Sequence, residues 1–188
     1  MREIRTTFEK AQPDLPLEKL YFLDESGVKI GMARTHARAP RGTRAEDRQP
    51  KKKGENFTLI GAMGLVGIVA TTVLRGGMTK PDFINFMRDE LLPRLPRGAI
   101  VVLDNLRSHH AKEVVELATA HGVRLVFIPP YSPEYNPIEK AWSKLKAWLR
   151  KMRARTLATL MTAIESGVER ITQQDVLGWS KHSGYETP

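Results

Sequence analysis

The sequence predicts an α/β fold: a mixed sheet, in which an antiparallel meander joins parallel strands, with helices on both faces. Three observations predict it. Short apolar runs without helical period lie in residues 20–34 and 57–74. From residue 79 onward, helix-like stretches alternate with apolar runs of strand length. Two of the runs, Phe22-Leu23-Asp24 and Val102-Leu103-Asp104, end in the same way, on an acid.

Residues 1–19 mix charges with Pro13 and Pro16 and show no clear period, so they read as an N-terminal tail or linker. Residues 20–24 form a short strand, and Glu25-Ser26-Gly27 reads as a turn after it. Residues 28–34 would be the return strand of a hairpin. Residues 36–54 form a loop rich in Pro and Gly, with seven Lys or Arg against Glu46 and Asp47. Residues 57–64 and 65–74 supply one or two further strands.

Pro81 opens a helix with Thr79 as its cap, and Phe83, Ile84, Phe86, Met87, Leu91 and Leu92 form the apolar stripe. Residues 99–104 are a buried strand. Ser108 would cap a helix with Val114, Val115, Leu117 and Ala118 turned inward, closed by Gly122. Residues 123–128 make the next strand, stopped by Pro129-Pro130. A helix runs from Pro137 to about Arg153, and a last one lies near 157–173. Strands separated by helices require right-handed parallel crossovers. Three meander strands followed by helix, strand, helix, strand and helix make a ribonuclease H-like arrangement, occupying residues 20–188.

Composition narrows the function. The chain has 188 residues, 41% hydrophobic, enough for one domain with a real core. No apolar run is long enough to span a membrane, and the charged start carries no secretory signal. Cysteine is absent, which excludes thiolate metal sites, and no His pair has zinc-like spacing. The default compartment is a reducing cytoplasm. A net charge of +9 and a pI near 9.9 favour a polyanionic partner.

The acids carry the chemistry. In parallel neighbouring strands, Asp24 and Asp104 would both stand at the carboxyl edge of the sheet, where open α/β sheets hold their ligands. Strand parity puts Asp24 on the face of Phe22 and Asp104 on that of Val102, while Glu25 points the other way. Asp24 is therefore preferred over Glu25 as a ligand. Glu139 is the third candidate. Asn136 could cap its helix with Pro137 at the first position, which would let Glu139 serve only in a capping box. Its place in the first turn after the last strand returns it to the same edge, and the three acids together favour a metal site. Mg²⁺ takes hard oxygen ligands, and two such ions about 4 Å apart promote in-line phosphoryl displacement.

Asp24-Glu25-Ser26, Leu103-Asp104-Asn105 with His109 following, and the block Pro129-Pro-Tyr-Ser-Pro-Glu-Tyr-Asn-Pro-Ile-Glu139 resemble the signature blocks of the DDE transposases, closest to the mariner-like group of bacterial insertion sequences. Thirty-four residues separate Asp104 from Glu139, the spacing of that group, and the resemblance runs over about 20–185, including Gly184-Tyr185. It implies two Mg²⁺ or Mn²⁺ ions, strand cleavage and strand transfer, and Asp24, Asp104 and Glu139 as catalytic residues and metal ligands. It also implies DNA as partner, both element ends and target, with a homodimer in the active complex, in the bacterial cytoplasm at the nucleoid. Members usually carry helix-turn-helix domains upstream, so an upstream helix-turn-helix product is expected to complete this chain.

Asn105 and His109 match the second block and could orient an acid or contact phosphate. A turn Asn and a first-turn His are the plainer alternatives. Lys140, Lys144, Lys146, Arg150, Lys151 and Arg153 crowd the helix that begins at Glu139, with no acid before Glu165, and read as phosphate contacts. Trp142, Leu145 and Leu149 are its buried stripe. Trp148 lies off that stripe, where packing is favoured over base stacking. The basic loop of 36–54 is expected to clamp DNA or to order on binding. Tyr131 and Tyr135 read as loop packing. Another ribonuclease H-like nuclease and a non-catalytic DNA-binding remnant are the competing functions.

Overall fold

The computed structural model describes residues 2–34, 36, 38–44, 46 and 54–186. The clamp expected of the basic loop thus falls partly outside the described residues. Five strands form one sheet in the order β3-β2-β1-β4-β5, with β1 Leu20–Lys29, β2 Asn56–Gly64, β3 Gly67–Arg75, β4 Ile100–Leu103 and β5 Arg124–Phe127. β1, β2 and β3 pair antiparallel, while β1–β4 and β4–β5 pair parallel. The mixed sheet is the one expected, but its first hairpin is not. Glu25-Ser26-Gly27 makes no turn, because β1 continues through it and stays paired with β2 as far as Lys29 opposite Asn56. The long 30–55 connection takes the place of that turn.

Side chains alternate between two apolar layers. Leu20, Phe22, Ile100 and Val102 face one layer, with Trp142, Leu145 and Leu149 of α4 (Ile138–Met152) and Leu160 and Ile164 of α5 (Leu157–Val168). Leu23, Val101 and Leu103 face the other. It is closed by Phe83 of α2 (Lys80–Asn85), by Phe86, Met87 and Leu91 of its π-helical continuation, and by Val114 and Ala118 of α3 (Lys112–Ala120). Thr79 caps α2 through a capping box with Asp82.

Three other elements depart from expectation. Ser108 does not cap α3; residues 107–110 are taken up in turns and Ala111 is the cap, which leaves Val115 exposed. The last helix is two, α5 and α6 (Gln173–His182), because Thr172 and Asp175 build a fresh capping box after the break. The N-terminal segment, read as a tail or linker without clear period, contains a helix. Arg2–Ala11 forms α1, in which Phe8 packs on the Tyr135 ring at 5.2 Å, Glu9 accepts from the Tyr135 hydroxyl, and Arg5 pairs with Glu134. Ile4 and Phe8, four apart, give the stripe that the surrounding charges obscure.

Gly61 sits opposite Asp24 in the β1–β2 register, directly beneath Trp142. A Cβ there would stand 2.5 Å from the indole Cη2. Gly61→Ala is therefore expected to overpack this contact and cost about 1–3 kcal/mol. Urea unfolding reads the loss, and a variant as stable as the parent would show that Trp142 has room to move.

Candidate active site

The β1–β4 register pairs Leu20 with Ile100 and Phe22 with Val102. The same offset, carried two residues further, sets Asp24 level with Asp104 at the carboxyl edge. Asn136 ties the third block to this edge. Its Nδ2 donates to the Leu23 carbonyl at 3.1 Å. That contact turns the side chain toward β1, no side-chain bond caps α4, and Pro137 takes the N-cap position. The Asn136 amide bonds to Pro133, not to Glu139, so the capping-box role for Glu139 is not realised. Glu139 is exposed in the first turn of α4. Asp24, Asp104, Asn105, Asn136 and Glu139 line one cleft of about 390 Å³, whose remaining wall is Leu106 and residues 128–133. Among the described residues, no three acid or imidazole groups close around a single point as they stand. The acids ring a cleft instead of forming a closed cage.

Each aspartate is held by a different device. The Trp142 Nε1–H donates to Asp24 Oδ2 at 3.0 Å. Burial pushes the Asp24 carboxyl up to about 8, and the charges of Glu139, Glu25 and Asp104 add to this. Asp104 is held the opposite way. Burial alone would raise it, but hydrogen bonds from the His109 ring and the Leu106 amide, with the charges of His109 and His110, keep it below the usual range. His109 is wholly buried, its Nδ1 2.8 Å from Asp104 Oδ1 and its Nε2 2.9 Å from Glu25 Oε1. Burial opposes its charge, yet hydrogen bonds to Asp104 and Glu25 lift it to about 9. Asn105 donates to the Ile128 carbonyl and accepts from His110, which stacks on Phe127 at 4.1 Å. Asn105 thus joins the ends of β4 and β5.

The remaining candidates scatter. Lys144 is taken up by Asp175 at 2.5 Å. Lys146 and Arg150 line a groove with Lys29, Gly76 and Gly77, further along β1. Lys140 is exposed beside Glu139, Lys151 lies over the Trp148 ring at 5.6 Å, and Arg153 ends α4 in a left-handed conformation. Trp148 is a packing residue: its Nε1 donates to the Ala163 carbonyl and Arg170 covers its ring at 4.3 Å. Tyr135 packs as expected, but Tyr131 does not. It is 89% exposed, with a φ of 55°, on the wall of the cleft. Sequence reasoning missed Trp142, Gly61 and Glu25 as parts of the site. Of these, only Gly61 carried a signal, since a glycine inside a strand marks close approach.

The family described as DDE superfamily endonuclease matches residues 19–161. No curated protein matches the sequence. Among solved structures, the chain is similar to the mariner Mos1 paired-end complex with Mg (TM-score 0.77, 15% identity, 96% of this chain and 59% of that one). It is similar also to the Mos1 transposase paired-end complex with left transposon end (0.73, 15%, 97% and 57%). The isolated catalytic domain of Mos1 mariner transposase gives 0.64 at 14% identity, over 97% and 83%. At these identities the likeness establishes the fold. The chain spans a little under three-fifths of the paired-end transposase chains it matches.

Without metal, the site should make stability depend on pH. Folded Asp24 keeps its proton to about pH 8, against an ordinary value of 3.8. The folded form therefore holds an extra proton between these limits, and that stabilisation, full below about 4, is lost progressively across them and is gone above about 8. His109, about 9 against 6.5, adds a loss in the same direction at higher pH. Asp104, lowered, contributes in the opposite sense and only at the acid end. Melting of chelator-treated protein should fall from about pH 4 to about pH 9, Asp24 acting up to about 8 and His109 from about 6.5, and Asp24→Asn should flatten the part below pH 8. An unaltered profile in Asp24→Asn would mean that Asp24 ionises as an ordinary surface acid.

Proposed function

We propose that this chain, which belongs to the DDE superfamily of endonucleases, is a transposase catalytic domain that cleaves DNA strands and transfers them to target DNA. Asp24, Asp104 and Glu139 are its catalytic residues. The observation that carries the reading is the gathering of these three acids, from β1, β4 and α4, on one cleft at the carboxyl edge of the sheet. Solved Mos1 relatives in this fold are complexes with a transposon end, with Mg or with Mn, which supports DNA as substrate and a divalent ion as cofactor here.

The residues fit two Mg²⁺ or Mn²⁺ ions. The donors are hard carboxylate oxygens, and their mutual repulsion is visible in Asp24, which Glu139 and Asp104 help to keep protonated. Asn136, on the same cleft, has a buried Oδ1 without a partner among the described residues, an acceptor that an ion-bound water would satisfy. Bound at these acids, the ions would supply the charge that activates an attacking oxygen and stabilises a leaving one. The chain's own part is orientation. Trp142 fixes Asp24, His109 and the Leu106 amide fix Asp104, and the Glu139 side chain, in the first turn of α4, has no hydrogen bond among the described residues.

Lys146, Arg150 and Lys29 are placed to meet the phosphate backbone beyond the cleft, and Lys140 beside it. We extend the reading to a catalytic domain from residue 20 onward with α1 strapped to it, acting at the bacterial nucleoid as a homodimer with a helix-turn-helix product.

Asp104→Asn should lower Mg²⁺- or Mn²⁺-dependent nicking of element-end DNA by at least about a hundredfold, the order expected for groups that act as a unit. Duplex binding should persist. A variant nicking near the parent rate would remove Asp104 from the catalytic set. For the groove, Lys146→Ala with Arg150→Ala should flatten the log–log salt dependence of duplex binding by roughly 0.9 per lost phosphate contact. Lys144→Ala, which frees Asp175, should change the slope less. Equal slopes in all variants would make these residues a solvated surface.

A further inference from the structure

We propose that Glu25 is a positioning residue for Asp104, acting from the opposite face of the sheet through His109; the inference rests on Asp104 as a metal ligand. Neighbours on β1 point to opposite faces. Asp24 meets Trp142 in the α4 layer, whereas Glu25 meets His109, whose ring lies 4.2 Å from Phe83 in the α2 layer. Asp104 stands just past the end of β4, where the sheet no longer separates the two layers.

The geometry makes the histidine a brace between two carboxylates. Nε2 is 2.9 Å from Glu25 Oε1 and Nδ1 is 2.8 Å from Asp104 Oδ1. Carboxylates only accept, so both ring nitrogens donate. The Leu106 amide donates to the same Oδ1 at 3.0 Å. Nδ1 also bonds the Asp104 backbone carbonyl at 3.2 Å, so His109 and the Leu106 amide grip Asp104 at its main chain and at Oδ1, which fixes the side-chain torsion and the direction in which its other oxygen is presented. Glu25 is nearly buried, its side chain 12% exposed, and His109 is entirely so. Removing the glutamate would leave the Nε2–H without an acceptor in a buried place. The ring would then turn or give up its proton, and Asp104 would lose its fixed donor. Outer partners of metal ligands act in this way, and their loss typically costs 10–100-fold in metal affinity or activity.

The test compares Glu25→Ala and Glu25→Gln in the whole chain, well below each variant's melting temperature. Two quantities are read: Mn²⁺ affinity by calorimetric titration, and the solvent exchange of the His109 ring N–H protons by NMR in metal-free protein. Glu25→Ala is expected to weaken Mn²⁺ binding about tenfold or more and to lose the slowly exchanging ring protons. Glu25→Gln, which still offers an acceptor, should restore most of both. Parent-like Mn²⁺ affinity in Glu25→Ala, with or without a lower melting temperature, would overturn the proposal by leaving Glu25 a merely structural group. Failure of the metal-site reading looks different: the parent itself then binds no Mn²⁺, and the ring protons alone decide whether Glu25 braces His109.

Discussion

The site depends on one contact, the indole of Trp142 laid across Gly61. Glycine at that position lets α4 approach the sheet closely enough for the Trp142 Nε1–H to reach Asp24, the residue paired with Gly61 across the strands. The same approach fixes the first turn of α4, and with it Glu139, over the carboxyl edge. Two of the three acids are therefore set by a single packing event. Leu145 and Leu149 continue it along the helix, and Gly167 of α5 admits Leu145 and Trp148 by the same lack of a side chain. Placement of charge here is a consequence of apolar packing, which is stiff because interiors are filled to crystal-like density.

Electrostatics divide the two aspartates. Asp24 is buried among like charges with an indole as hydrogen-bond donor, and its carboxyl rises. Asp104 has an imidazole and an amide as donors, and its carboxyl falls. In the metal-free protein near neutral pH, one is protonated while the other is ionised. A divalent cation would reverse the balance at Asp24 by supplying the charge that its neighbours lack. Ion binding should accordingly release a proton, a linkage built into the site and absent from a cage of equal carboxylates.

The two strand-end aspartates were legible in the sequence because parity along a strand is a local property, and the third block because its prolines and asparagine are strong local signals. What was not legible depends on distant partners. Glu25-Ser26-Gly27 has turn chemistry, yet eight cross-strand pairs with β2 keep it extended. That extension is what aims Glu25 at His109. Asn136 has cap chemistry, yet the Leu23 carbonyl, 113 residues away, claims its side chain. Helix α1 is hidden by its charges, which serve in ion pairs and hydrogen bonds with the third block. Lys144 read as a free cation until α6, unseen as a separate helix, brought Asp175 to it.

The third acid shows how far such support reaches. The loop before Glu139 is gripped from both ends of the described chain. Phe8, Glu9 and Arg5 of α1 hold Tyr135 and Glu134, while the Tyr185 hydroxyl donates to the Tyr135 carbonyl at 2.8 Å and its ring meets Phe22 edge-on at 4.9 Å. Gln12 closes the ring by donating to the Ser183 carbonyl at 2.7 Å. All three acids lie within the family-matched span of 19–161, but both of these grips lie outside it. The three acids proposed as ligands are thus local to the sheet edge, and the rigidity of the loop that leads into Glu139 is borrowed from segments that contribute none of them. Loosening either end would leave Asp24 and Asp104 in place, because their donors come from α4 and from residues 106–109. It would act on Glu139 alone, the one acid that no described hydrogen bond holds.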